Sequence, residues 1–497
     1  MDTKDEKSPP SDTEQPVSKT ASTQMGTLSA VEDAALTRKI DRRIVPLMFA
    51  AYFFQFLDKV LINYANIMGL QKDLGLHGQQ FSWMATAFFI GYTVSEFPQA
   101  WLLQRFNVAT VLGVNILLWG VTICCTAATT NFAGVTAVRT LLGCFEAVIT
   151  PALILITSQW YTKRESTPRY GIWYCGLGAG QIVGGLISFA AQHGSKTASF
   201  GGWRIMFVAV GASNLLVAAL ILLFLPEAPD AASWLTPAEK VHIHARLALD
   251  QAGAGRKVFR REAIMETLCD AHVWVLFVLT VLIVIPSGVV TTFSATLIAG
   301  FGYDPKTAAL LNMPSGVVSI LATLGCTYAI LVDFPRWLGI VALMVPTLLG
   351  AGLMSFYRGS QGGVLAGIYL INFVVAPLAL VFALVGSNVQ GYTKKIAVNA
   401  VVAIGFGVAN IIGPQTFLSR EAPTYISAKI TIFAVNGAAM VMAVVLRLLY
   451  GWRNRQSVRA REAELEAVRT GQMTVEALED QEAEETDRQN RAFVYVY

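Results

Sequence analysis

The sequence predicts an all-α membrane protein of twelve transmembrane helices, arranged as two pseudo-symmetric six-helix bundles. Three observations carry that prediction. The 497 residues are 54% hydrophobic and only 14% charged, with a mean hydropathy of +0.52. A soluble domain carries roughly 25% charged residues. Apolar stretches near the 20 residues needed to cross a bilayer recur twelve times. Finally, a ten-residue motif appears in the fifth stretch of each half.

Residues 1–43 open the chain with MDTKDEKSPPSDTEQPVSKT, polar and without the apolar run of a signal peptide. They read as a disordered cytosolic tail. The first bundle occupies 44–225, with spans at about 44–66, 81–103, 109–128, 132–158, 170–192 and 204–225. Segment 226–272, opening PEAPDAASWLTPAEKVHIHARLALDQ, is too polar to cross and reads as a partly helical cytosolic linker. The second bundle occupies 273–450, with spans at about 273–299, 307–331, 337–356, 362–386, 397–418 and 427–450. Residues 451–497 alternate in charge (REAELEAV, then LEDQEAEETDRQ) and read as a solvated helix or a disordered cytosolic tail.

Lysine and arginine near span ends set orientation. Short loops are balanced, but Arg38, Lys39, Arg42 and Arg43 precede the first span. Arg256, Lys257, Arg260 and Arg261 precede the seventh, and Arg453, Arg455 and Arg459 follow the twelfth. An even number of spans places all three groups on one side, so both termini are expected in the cytosol. The six cysteines (Cys124, Cys125, Cys144, Cys175, Cys269 and Cys326) show no metal-type spacing and read as small hydrophobes.

The repeat is GLGAGQIVGG at 176–185 against GFGVANIIGP at 405–414, an offset of 229. Gly176, Gly180, Gly405 and Asn410 belong to it. Small residues at this spacing let helices approach closely, which suits spans that slide during gating. No strand precedes the first copy, so a dinucleotide fingerprint is excluded.

Charge is distributed unevenly. Asp58 and Lys59 lie in span 1, Glu96 in span 2, and Arg139 and Glu146 in span 4. A charge at the centre of a bilayer helix costs about 2.5–3.5 kcal/mol on insertion scales. The 229-residue offset carries Asp58, Lys59, Arg139 and Glu146 onto Ser287, Gly288, Ile368 and Val375. The deep polar residues of the second half are neutral: Asn372, Ser387, Asn388 and Asn410. One half therefore handles ions and the other shapes selectivity.

At 1.5 Å per residue, Arg139 lies about 10 Å and Glu146 about 21 Å from the outer end of span 4. They share a face, yet they are too far apart for a direct pair. Asp58 and Lys59 offer each a partner of opposite sign. Pro151 just beyond Glu146 removes a backbone hydrogen bond and predicts a kink. An enclosed carboxyl can load and release protons, and a guanidinium can grip an anion with two parallel hydrogen bonds. The pattern reads as a proton-coupled anion site, with Asp58 and Glu146 for protons. Lys59, Tyr92, Arg139 and Asn388 are read as facing the substrate. Glu96, nearer the cytosolic end, reads as a contact to the inner gate. The bland alternative is a permanent ion network that positions spans 1 and 4.

At these residues the chain resembles the major facilitator superfamily, in particular its anion:cation symporters and their fungal allantoate-permease-like group. The resemblance covers about residues 40–450. It rests on FLDKVLINYA, YTVSEFPQ, RTLLGCFEAVITP, GGWRIMF, GSNVQGYTKK and GVANIIGPQTF. It implies the twelve-helix major facilitator fold, alternating access, and proton-driven uptake of small organic anions such as carboxylates, ureides, vitamins or short peptides. It also implies that Asp58 and Glu146 handle protons, that Arg139 contacts the anion, and that Tyr92 lines the cavity. Two departures stand out. Lys59 replaces the arginine common after the span 1 aspartate, and Tyr392 replaces the histidine of the G-H-T-K pattern.

The expected partners are a small organic anion, protons and the lipid bilayer, with no nucleic acid and no cofactor beyond protons. The chain is expected to act as a monomer, in the plasma membrane. A proton-antiport exporter of a metabolite or toxin is the nearest alternative. A non-transporting nutrient sensor or a membrane enzyme fits less well, because the carboxylates are retained. His77, His193, His242, His244 and His272 lie in loops or at span ends, and no P-loop is present.

Overall fold

The computed structural model describes residues 30–194, 201–251, 261–357, 359–469, 486–488, 490 and 493–497. Every regular element among them is a helix. Spans 1 to 6 are Ala30–Ile67, Gln80–Arg105, Val108–Thr126, Phe132–Trp160, Lys163–His193 and Gly202–Phe224. Span 7 is divided into Ala271–Val284 and Ser294–Gly300, joined through Val289–Phe293 wound at π pitch. Spans 8 to 12 are Pro305–Leu331, Arg336–Phe356, Gln361–Asn388, Tyr392–Gln415 and Ile426–Arg469. Ten of these are long and apolar enough to cross a membrane individually. Span 2 has the length but carries Ser82, Ser95, Glu96 and Gln99, and span 7 is broken.

Large apolar side chains cover the outside of the bundles. Leu223, for example, is 76% exposed, and Val94, Trp101, Leu216, Leu321 and Leu448 are also exposed. In a protein solvated by lipid this is the favourable arrangement, because backbone groups are satisfied inside each helix. We call the face that carries the start of span 1, the end of span 12 and the linker helices the tail face, and the opposite one the far face.

Two boundaries differ from the sequence expectation. Span 1 begins at Ala30, so residues 30–43, read as disordered, are helical. Leu36, Ile40 and Ile44 recur at helical spacing and are buried, while Asp33 and Asp41 find cations in Arg246 (3.2 Å) and Arg169 (2.7 Å). Residues 1–29 lie outside the described residues. Span 12 continues to Arg469 as the solvated helix that the sequence allows there. Residues 486–497, read as solvated, instead include Asp487 and Tyr495, each 3% exposed. The LEDQEAEE stretch lies outside the described residues.

The linker is partly helical. Pro237–Gln251 starts with a reciprocal cap, since the Thr236 amide donates to the Glu239 carboxylate (2.7 Å) and the Glu239 amide to the Thr236 hydroxyl (3.3 Å). It docks on the first bundle through Lys39–Glu239 (2.9 Å) and Arg246–Glu165 (3.0 Å). Trp234 stacks on Trp160 with centroids 5.7 Å apart.

The repeated motif occupies equivalent places in the two halves. Gly176 and Gly180 lie against the backbone of span 1 at Phe53 and Leu57, and Gly405 and Gly413 lie against span 7 at Phe277 and Ile285. One residue pair on, Gly178 faces span 8 at Gly316 while Gly407 faces span 2 at Thr93. One face of each copy thus binds its own bundle and the other meets the opposite bundle. A Cβ on Gly178 would come 2.3 Å from the Gly316 carbonyl, and one on Gly316 would come 2.4 Å from that of Gly178. Gly178→Ala is therefore expected to force spans 5 and 8 apart, costing about 1–3 kcal/mol, as overpacking does. Thermal melting checks this. A midpoint equal to the parent's would show that the backbones are not in contact there.

Candidate functional site

Span 4 begins on Asn131, whose side chain accepts from the Gly134 amide (2.8 Å), and buries Arg139, Leu142, Gly143 and Glu146 along one stripe. Gly143 lets it cross span 2 at backbone contact, since a Cβ there would lie 2.1 Å from the Phe88 carbonyl. Gly91 does the same from span 2 against Thr140. These crossings bring Phe88 and Tyr92 to the level of the two charges. The helix breaks at Ala147–Val148, immediately after Glu146, and resumes at Ile149. Pro151 lies in the new first turn, where its missing N–H withholds the helical donor from the Ala147 carbonyl.

Span 1 supplies the opposite charges. Asp58 and Lys59 are adjacent, so their side chains leave the helix about 100° apart. Lys59 Nζ lies 2.7 Å from Glu146 Oε1, and Arg139 Nη1 lies 3.9 Å from Asp58 Oδ2. The two pairs form a crossed square in which each span contributes one cation and one anion. Arg139 is 3% exposed, and Asp58 and Glu146 are 0% exposed. Trp119 of span 3 donates from Nε1 to Asp58 Oδ2 at 3.5 Å. Lys59 Nζ also sits 5.4 Å from the Tyr92 ring and 5.8 Å from the Phe88 ring, within cation–π range.

The square is not saturated. Arg139 Nε and Nη2 and Asp58 Oδ1 are buried and have no hydrogen-bond partner among the described residues. The Nε and Nη2 donors form one edge of the planar fork, the geometry that matches a carboxylate or phosphate. Arg139 and Lys59 line a cavity between the bundles together with Phe88, Phe89, Thr291 and Thr292. Its volume is about 20 Å³, room for roughly one water molecule. Thr291 and Thr292 come from the π-wound part of span 7, so the second bundle contributes hydroxyls where the first contributes charge.

The bundles touch on both sides of this cavity. Towards the far face, Asn63 donates to Ser294 (2.7 Å), Asn66 to Thr296 (2.8 Å) and Gln415 to Thr86 (2.8 Å). Towards the tail face, the Tyr174 hydroxyl donates to the Val375 carbonyl (3.2 Å), and Thr93 packs on Gly407. Access to the square therefore requires the bundles to separate on one side.

Not every residue read as substrate-facing lies here. Tyr92 does: its ring approaches Phe406 of span 11 at 6.3 Å. Asn388 does not. It is buried at the tail-face end of span 10, where it accepts from the Val496 amide (2.7 Å) and donates to the Val496 carbonyl (2.8 Å). Asn410 binds within its own bundle, accepting from Ser287 at 3.0 Å. Glu96 lies one turn from Tyr92 towards the tail face, partly exposed and apart from the square.

The second half also holds buried charge that its sequence conceals. Lys394, read as a loop residue, is 0% exposed. It pairs with Glu266 (2.8 Å), Asp270 (3.0 Å) and Asp487 (3.0 Å), and Arg453 also binds Asp270. Gly391, with φ of 89°, permits the reversal between spans 10 and 11 that aims Lys394 inward. Trp119, Thr291 and Thr292 were equally illegible. The one sequence signal was indirect, since the offset from Lys59 lands on Gly288, one turn before Thr292.

A lysine removed from the square strands Glu146. Losing one partner of a buried pair costs about 3–5 kcal/mol. Lys59→Met is accordingly expected to lower the melting temperature, and adding Glu146→Gln should recover part of the loss. Strictly additive effects would mean that Lys59 and Glu146 do not interact.

Comparison with known proteins agrees with this architecture. The Major Facilitator Superfamily profile matches residues 48–414. The thiamine pathway transporter THI73 of Saccharomyces cerevisiae is 34% identical over 93% of this chain and 86% of its own length. The allantoate permease of the same yeast is 32% identical, covering 84% and 79%. Among solved structures, a D-xylose-proton symporter superposes with a TM-score of 0.60 over 81% of this chain and 96% of its own, at 13% identity.

Proposed function

The chain belongs to the major facilitator superfamily, and from that premise we propose that it is a proton-coupled symporter that takes up a small organic anion by alternating access. As a member of that family it is a multi-pass membrane transporter. The finer reading rests on one observation: the buried, unpartnered Nε and Nη2 edge of Arg139 beside the cavity between the bundles. A guanidinium held in that way favours a carboxylate over a neutral or cationic solute. The name of the allantoate permease supports an anion of the carboxylate or ureide class. The name of THI73 points to a vitamin-linked solute as a second class to test.

In this reading the anion enters opposite Thr291 and Thr292 and takes the free edge of Arg139. Asp58 then shares its cation with the ligand, and Lys59 lies between Glu146 and the ligand. A proton on Glu146 neutralises the carboxylate and releases Lys59 towards the anion. Loading an anion with protons thus keeps the site near electroneutrality, which a low-dielectric passage demands. Uptake at the plasma membrane, cytosolic termini and action as a monomer complete the proposal. The arginine-rich flanks on the tail face support that orientation.

The test is a thermal-stability screen of the purified protein against carboxylates, ureides, vitamins and short peptides at pH 5.5 and 7.5, probed with the parent and Arg139→Lys. A specific ligand at a hundredfold excess over its Kd contributes about 2.7 kcal/mol. An organic anion should stabilise the parent, more strongly at the lower pH, and should lose most of its effect on Arg139→Lys. Stabilisation by neutral or cationic solutes alone, or equal stabilisation of both proteins, would rule out the assignment.

A further inference from the structure

The described residues of segment 486–497 are tied at once to the tail-face ends of five spans and to the short helix that leads into span 7. The Thr486 hydroxyl donates to Glu266 (2.8 Å), in the short helix leading into span 7. Asp487 pairs with Lys394 of span 11. Tyr495 stacks on Tyr450 of span 12, with centroids 5.4 Å apart and rings 14° from parallel, and meets His272 of span 7 edge-on. Its hydroxyl accepts from Arg453 (3.1 Å) and donates to Asp487 (2.9 Å), while its amide donates to Asn454 (2.7 Å). Val496 exchanges two hydrogen bonds with Asn388 of span 10. The Tyr497 carbonyl accepts from the Arg336 amide at the start of span 9 (2.9 Å).

Two of those helices also meet the other bundle, near the middle of the membrane. Span 10 offers the Val375 carbonyl to Tyr174, and span 11 offers Gly407 to Thr93. The socket is also built to survive the segment's departure. Without Asp487, Lys394 retains Glu266 and Asp270, and Asp270 retains Arg453. Two carboxylates then face two cations, so no buried charge is stranded. The grouping of Asp270, His272 and Asp487 does not suit a metal ion, because Lys394 and Arg453 already occupy the carboxylates.

We propose that the described residues of segment 486–497 form an intramolecular strap. Docked, it fixes the tail-face ends of spans 7, 9, 10, 11 and 12 as one unit and restrains separation of the bundles on that face. Released, it frees spans 10 and 11 to part from spans 5 and 2. The proposal rests on membership of the transporter family and is independent of which solute is carried.

Hydrogen exchange on the full-length protein tests it, comparing the parent with Tyr495→Ala, Tyr495→Phe and Asp487→Asn. In the parent, the amides of Tyr495, Val496 and Arg336 should be protected. Tyr495→Ala should abolish that protection and also speed exchange at 163–174, in the other bundle, by about threefold or more through local opening. Tyr495→Phe keeps the stack and should remain protected. If Tyr495→Ala does not fold, Asp487→Asn, which leaves the aromatic socket intact, carries the same comparison. Unprotected amides in the parent would overturn the docking. Release of the segment with unchanged exchange at 163–174 would overturn the restraint.

Discussion

The crossed ion pairs between span 1 and span 4 are the constraint on which the rest of the structure depends. Four charges within a few ångströms, in a medium that solvates none of them, can only be tolerated as a set. Asp58 and Lys59 reach different partners because adjacent residues diverge on a helix, and Arg139 and Glu146 receive them because two turns separate residues on one face. Glycines at 91 and 143 then become necessary, since they let spans 2 and 4 touch and close the aromatic wall of Phe88 and Tyr92 around Lys59.

A saturated square would be inert. What distinguishes this one is its geometry: Arg139 meets Asp58 at 3.9 Å through one nitrogen while its other edge stays unpaired beside the cavity. Buried ion pairs contribute little net stability compared with apolar packing. In the proposed reading, their role at this position is exchange of partners rather than strength. The glycine motif provides the mechanical counterpart. Each copy binds its own bundle with one face and the opposite bundle with the other, so packing surfaces smooth enough to shift lie on both sides of the charged site.

Much of this was legible in the sequence, and for physical reasons. Span number, the two halves and the membrane class follow from apolar length, which hydrocarbon thickness dictates. The charged residues were conspicuous because a buried charge is expensive, and the inability of Arg139 and Glu146 to pair directly followed from helical rise alone. What the sequence concealed depends on tertiary context. Lys394 looks like a loop lysine until Glu266, Asp270 and Asp487 converge on it from three segments. Asn388 looks like a cavity residue until Val496 claims it. Thr291 and Thr292 are ordinary threonines unless the π turn rotates them into the passage. Residues 30–43 and the described residues of 486–497 mix charged groups with apolar or aromatic anchors, and Leu36, Ile40 and Tyr495 dock them.

The most direct measurement of the central claim is transport by Glu146→Gln in sealed vesicles, once a transported anion has been identified. Counterflow exchange needs only binding and bundle movement, whereas accumulation driven by a pH gradient needs a proton to travel with the anion. Glu146→Gln should retain counterflow and lose gradient-driven accumulation. Accumulation equal to the parent's would show that the proton does not pass through this square, and would reduce the crossed pairs to a fixed brace between spans 1 and 4.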